Sequence, residues 1–275
     1  MDLRKIKFKH LCNEARCHHR NRGGTVIPRM RKIPVILCFA ATLLAASLSA
    51  QNREAGTEEW RRSLPNKPYA EACDSLRNFL NRIESVPWSE EEEVAAWHSL
   101  KDYAVRYRDR KLEQLVDFFF IHIYRYKYVH LYERTIFELY HELAERAERI
   151  QHVELQVTCL HSLANRYFEM QNYEASFTLY KKIEPLLESL PDGAFPDKVD
   201  IYQAMGDIFY WFREYETAAA HLKKAVRLPV SYWHRRGRAA ALNTLGLCFI
   251  QTNLPDSAEV CFRTIVDEDL PYAER

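Results

Sequence analysis

The feature that most limits what this chain can fold into is a recurring small-residue anchor, followed at set distances by an aromatic and a second small residue. Three windows carry it. The first runs Leu163-Ala164, Tyr167, Tyr173, Ser176, Tyr180, Ile183. The second runs Met205-Gly206, Phe209, Tyr215, Ala218, Leu222, Ala225. The third runs Leu245-Gly246, Phe249, Ala258, Phe262, Ile265. The anchors Ala164, Gly206 and Gly246 lie 42 and 40 residues apart. A near-regular period of this size marks stacked units, none of which buries its apolar face alone. Within a window, Ala218, Leu222 and Ala225 step by four and seven, which places them on one helix face.

These residue types follow from packing. A small anchor lets the second helix of a hairpin come close, and the aromatic one turn later fills the gap beside it. The expected architecture is all-α, a right-handed superhelical solenoid of antiparallel helix pairs. Only 7 Gly and 11 Pro among 275 residues argue against a loop-rich all-β chain. Tyr and Phe, 16 and 14 in number, supply material for helix seams.

The windows resemble the tetratricopeptide repeat (TPR), whose signature is a Leu-Gly pair, an aromatic three on, an Ala, then an aromatic and another Ala. Ala164, Tyr167, Gly206, Phe209, Ala218, Gly246, Phe249 and Ala258 are the packing residues this resemblance implies. The match covers about 157–272. It departs from the family in its longer spacing, in Ala164 where the family has Gly, in Ser176 where it has Ala, and in Ile183 and Ile265 at the last Ala position. The loop 190–196 and the stretch 229–238 absorb the extra length. Such modules bind protein or peptide in a groove lined by set positions of each first helix. Carried over, these are Thr158, His161, Asn165, Phe168 and Glu169; Asp200, Gln203, Asp207, Tyr210 and Trp211; and Ala240, Asn243, Leu247, Ile250 and Gln251. The core of the expected groove is His161, Asn165, Gln203, Asp207, Tyr210 and Asn243. The family's carboxylate clamp needs Lys and Arg, and here Asp200 and Asp207 stand instead. The expected ligand is therefore a basic or amide-rich peptide.

Upstream the repeat is degenerate but helical. Ala70 to Ile83 has apolar residues at helical spacing. Ser89-Glu90-Glu91-Glu92 is a capping box that opens a helix toward Tyr107. The run 118–128 alternates in its second half, yet a lone strand would lack a partner, so a helix is expected there. Leu131 to Ile150 reads as a second helix. The resulting organisation is a linker at 51–66, degenerate hairpins at 67–156 and repeats at 157–275.

Residues 30–50 read as an export signal. Arg31 and Lys32 precede the apolar run Ile33 to Leu48, and Ser47-Leu48-Ser49-Ala50 offers a cleavage site. An uncleaved anchor is the alternative. Residues 1–29 carry eight Lys/Arg and read as an extension ahead of a true start at Met30. The localisation implied is exported, periplasmic or envelope. Cys73, Cys159, Cys248 and Cys261 remain downstream. They are either buried small residues or, for Cys248 with Cys261, a bridge across one hairpin.

Residues 1–50 hold 10 Lys/Arg against 2 Asp/Glu, which leaves 29 basic and 36 acidic residues in 51–275. A net −7 there disfavours nucleic acid as a partner. No phosphate loop, nucleophile elbow or His-Glu-x-x-His occurs; His141-Glu142 lacks its second histidine. Neither a catalytic residue, a metal site nor a cofactor is expected. The layout of export segment then repeats resembles the outer part of bacterial signalling proteins, with the output and a membrane link beyond this chain. The next repeat would begin at about 269–275. A free periplasmic scaffold is the second reading, and a helical-superhelix enzyme a remote third.

Overall fold

The computed structural model describes residues 60–85, 90–231 and 234–269. The export segment, the extension before it, Ser89 and residues 270–275 lie outside the described residues. The helices are α1 (Tyr69–Ser85), α2 (Glu90–Arg106), α3 (Arg110–Arg149), α4 (Val153–Glu169), α5 (Tyr173–Ser189), α6 (Lys198–Trp211), α7 (Tyr215–Arg227), α8 (Arg235–Gln251) and α9 (Pro255–Thr264). A π-helical turn, Ile265–Asp269, follows α9. No strand occurs among the described residues. Consecutive helices pack as pairs, α4 on α5, α6 on α7 and α8 on α9, and α8 also packs along α6 and α7. The result is an all-helical solenoid. No helix among the described residues is long and apolar enough to cross a membrane.

Three turns close the repeat hairpins in the same way. Gln171, Arg213 and Asn253 have φ of 60°, 64° and 61°. Side chains enter this left-handed region at a cost of about 1–2 kcal/mol. The next amide then donates back five residues: Asn172 to Tyr167 O at 2.9 Å, Glu214 to Phe209 O at 2.9 Å, Leu254 to Phe249 O at 2.7 Å. These bonds satisfy carbonyls that a helix end otherwise leaves open. Arg108 and Gln151 repeat the geometry, with φ of 56° each. Asn172 and Asp109 also cap the following helices, accepting from the amides of Ala175 and Leu112.

Helix α3 is helical along its backbone for 40 residues, but it is not straight. Gln114 Nε2 donates to the carbonyl of Arg146 at 3.0 Å, 32 residues away. A straight helix of that length spans about 48 Å. The rings of Phe118 and Tyr140 lie 5.9 Å apart. The helix therefore reverses between His122 and Ile136, and its two arms form a further hairpin. The separate helix expected from Leu131 to Ile150 is the second arm, continuous in backbone with the first. Asp117 staples the arms to α2. It is buried and accepts from Lys101 at 2.6 Å and Arg146 at 2.9 Å.

With the chain reversing at each turn, the turns at 108 and 151 and the loops 190–197 and 228–234 share one edge. The turns at 171, 213 and 253 share the other. Part of the segment expected as a linker covers the first edge. Trp60 stacks on Phe79 at 4.9 Å, Leu64 is fully buried, and the Asn66 amide donates to Asp109 at 2.7 Å.

The anchors sit at the helix crossings. A Cβ on Gly206 would lie 2.4 Å from Leu222 Cγ, and one on Gly246 would lie 2.6 Å from Phe262 Cε1. The aromatics three residues on pack outward, onto the preceding hairpin. Tyr167 meets Phe137 edge-on at 4.7 Å, Phe209 lies 5.7 Å from Phe177, and Lys223 lies 5.3 Å over Phe249. Cys73, Cys159, Cys248 and Cys261 are free and buried, so Cys248 and Cys261 form no bridge.

Two glycines of the same motif differ in what opposes them. Leu222 is wholly buried and its branch point is the contact, whereas the ring tip of half-buried Phe262 meets Gly246. Gly206→Ala is expected to cost about 1–3 kcal/mol through overpacking. Gly246→Ala is expected near neutral, because a gain of about 1 kcal/mol in helix propensity offsets a small ring shift. Ser176 stands fully buried in the second small position, and its hydroxyl has no hydrogen-bond partner. Ser176→Ala is expected to stabilise by about 1 kcal/mol. Urea unfolding followed by circular dichroism checks all three.

Candidate functional site

The first helices of the three repeat hairpins, α4, α6 and α8, carry the expected groove residues, and the structure links most of them. On α4, Tyr180 from the paired helix donates its hydroxyl to Asn165 Oδ1 at 2.6 Å. The same hydroxyl lies 3.2 Å from His161 Nδ1, and Asn165 Nδ2 lies 3.1 Å from His161 Nε2. His161 protonated on Nδ1 closes this three-membered set. On α6, Gln203 donates to Asp207 Oδ2. Burial holds the Asp207 carboxyl above its usual range, and hydrogen bonds from Thr244 and Gln203 pull it back. The charge on Asp207 also raises the Tyr180 phenol, which burial has already pushed up, so the two groups belong to one electrostatic neighbourhood. Asp207 Oδ1 is buried and has no hydrogen-bond partner.

The other expected residues are more scattered. Tyr210 is half-buried with its ring 5.6 Å from Tyr215. Asn243 is exposed on α8 beside Thr244. Trp211 and Ile250 point to solvent at the ends of their helices. Phe168 packs on Tyr173 at 5.2 Å, and Glu169 pairs with Arg166 at 2.6 Å. Thr158 and Asp200 belong to a second cluster, at the opposite ends of α4 and α6.

That second cluster brings α1 against the array. Asp197 Oδ1 accepts from Arg77 at 2.7 Å and contacts His234 Nε2 at 2.7 Å. Asp197 Oδ2 accepts from the Tyr69 hydroxyl at 3.4 Å, and that hydroxyl lies 3.1 Å from Thr158 Oγ1. Ser231 Oγ lies 2.7 Å from His234 Nδ1. Burial alone would raise the Asp197 carboxyl, but the His234 and Arg77 contacts hold it well below the usual carboxylate range. Asp200, 3.7 Å from His234, is pushed up to about 6 by desolvation and by the neighbouring Asp197 charge, against the pull of His234 and Arg77. Burial pushes the Cys73 thiol up beside this knot, so it is a poor nucleophile. Sequence reading missed Arg77, Tyr69, Tyr180, Asp197 and His234 as partners. The one available signal was Asp197 after Pro196 at a helix start. Among the described residues, no group of three or more His, Cys, Asp and Glu side chains is arranged to hold a metal ion.

The two aspartates give opposite pH dependences. An unfolded Asp titrates near pH 3.9. Asp197 titrates lower when folded, so its stabilisation is present above that pH and is lost as the pH falls toward its folded value. Asp200 titrates higher, at about 6. Between about pH 4 and 6 the folded chain keeps a proton that the unfolded chain releases, so stability falls as pH rises through that window. Asp200→Asn is expected to flatten the fall between pH 4 and 6. Asp197→Asn is expected to cost several kcal/mol at neutral pH by removing the buried counter-charge of Arg77 and His234, a cost that shrinks as the pH falls below about 4. Thermal melts across pH 2–8 read both.

No protein-family model matches the chain, and a comparison with curated proteins finds no match.

Proposed function

We propose that this chain is an exported TPR module that binds a protein or peptide along the inner face of α4, α6 and α8, in a right-handed superhelix. The carrying observation is Asp207. Its Oδ1 is a buried acceptor with no partner, and only neutral groups hydrogen-bond the carboxylate. A buried acceptor left open costs about 1–3 kcal/mol, which an incoming N–H donor relieves. A lysine, arginine or amide side chain of a ligand matches this half-buried carboxylate in charge. His161, Asn165 and Gln203 supply further donors and acceptors along the face, and Tyr210 an apolar wall.

A fluorescein-labelled nonapeptide of alternating Lys and Asn, amidated at its C-terminus, tests the chemistry by fluorescence polarisation against its Glu/Asn counterpart. The Lys/Asn peptide is expected to bind saturably and the Glu/Asn peptide not at all. Asp207→Asn is expected to weaken binding about tenfold, or about 1.4 kcal/mol. Equal binding of both peptides, or none, sinks the basic-ligand reading.

We further infer a place in the sensory region of a membrane signalling protein, supported by the order of export segment and array. Immunoblotting of envelope and soluble fractions checks this. A membrane-bound species well above 32.6 kDa supports a larger signalling protein. A soluble species of about 225 residues after signal removal refutes it and leaves a free envelope scaffold.

A further inference from the structure

Exposed large apolar side chains concentrate on one edge of the solenoid. Among the described residues, Met170, Trp211, Phe212, Ile250 and Leu254 make up five of nine such side chains. All five lie at the turns that carry Gln171, Arg213 and Asn253. Trp211 is 68% exposed and Met170 57%. The rings join neighbouring turns into one surface: Phe212 lies 5.3 Å from Tyr173 and 6.4 Å from Phe168. Helix α8 packs along α6, so Ile250 and Leu254 continue the row. The opposite edge differs. There Leu190 and Phe195 are buried, and Tyr69 packs on Phe195 at 5.5 Å. Val105 and Tyr107 are exposed on that edge, among Arg106, Arg108 and Arg110.

The charge around the row is mostly negative. Glu174, Glu214, Glu216 and Asp256 are exposed. Arg166 is tied to Glu169, and Arg213 is the exposed cation at these turns among the described residues. Anionic lipid would be repelled by this frame, whereas a basic protein segment is drawn to it.

We propose that this edge docks an amphipathic helix of a partner protein, with apolar anchors at three- and four-residue steps flanked by Lys or Arg. Neighbouring helices pack about 10 Å apart, so three turns span roughly 20 Å, the length of about 14 helical residues. The apolar anchors cover Trp211, Phe212, Met170 and Ile250, and the flanking cations meet Glu174, Glu214, Glu216 and Asp256. Of the expected groove positions this surface takes in Phe168, Trp211 and Ile250, at the ends of their helices, and it does not use Asp207.

The probe is a labelled 18-residue Leu/Lys amphipathic helical peptide, with a Leu/Glu peptide as its counterpart, added to the full chain. The Leu/Lys peptide is expected to bind saturably and to shift the tryptophan emission to the blue, a shift that Trp211→Ser removes, while the Leu/Glu peptide does neither. Trp211→Ser and the double variant Glu214→Lys/Glu216→Lys touch only exposed side chains. Each is expected to weaken binding at least tenfold when measured in the Asp207→Asn background, which removes the inner face's contribution. Binding that survives both edge variants overturns the proposal. So does co-sedimentation with phosphatidylcholine/phosphatidylglycerol vesicles in preference to the peptide, which assigns the edge to a bilayer. A dimer in sedimentation velocity that Trp211→Ser abolishes overturns it in favour of a second copy.

Discussion

The close crossing at Gly206 is the contact on which the stacking depends. With no Cβ there, α7 brings Leu222 into a space that a methyl group would occupy. Leu222 and Ala218 are then wholly buried between the two helices. One turn along α6, Phe209 stacks on His221 of the paired helix at 5.2 Å and reaches Phe177 of the preceding hairpin at 5.7 Å. The small anchor thus sets the spacing inside a hairpin and the aromatic sets the spacing between hairpins. Neither contact alone repeats; together they define a unit that stacks.

The first repeat shows how the unit tolerates change. Ala164 takes the anchor position and Tyr180 the place of Leu222, both fully or nearly fully buried. A tyrosine carries a hydroxyl that burial penalises unless it is bonded. His161 and Asn165, one turn apart on α4, provide that bond. Two groove residues therefore also serve the packing of the hairpin that presents them.

The helices and their crossings were legible in the sequence because glycine, alanine and aromatics recur at a fixed period. The turns were not. A glycine at the left-handed position would have marked each one, but Gln171, Arg213 and Asn253 stand there, and the bond back to the preceding helix is made by backbone alone. The reversal of α3 was legible only in part: 118–128 and Leu131 to Ile150 read as two helices, but contact between the arms involves residues 32 apart and leaves no local pattern. Half of the candidate site was visible as periodic polar positions on α4 and α6. The knot at Asp197 was not, because Arg77 lies 120 residues away and chain distance of that kind leaves no local pattern.

Three buried or half-buried aspartates are treated in different ways, and the difference bears on function. Asp117 has two cations, Lys101 and Arg146. Asp197 has Arg77 and His234. Both are internally neutralised, and desolvated charges of this kind persist because their partners are fixed in the same fold. Asp207 has Gln203 and Thr244, both neutral, and one oxygen bonded to nothing. Its carboxylate has lost part of its hydration without gaining a counter-charge. Of the three, it is the site where an external cation gains most, since attraction is strengthened by partial burial and no internal cation has to be displaced. On the proposed reading, binding at Asp207 would remove a cost that the fold leaves in place, whereas Asp117 and Asp197 already hold α1, α2 and α3 to the array.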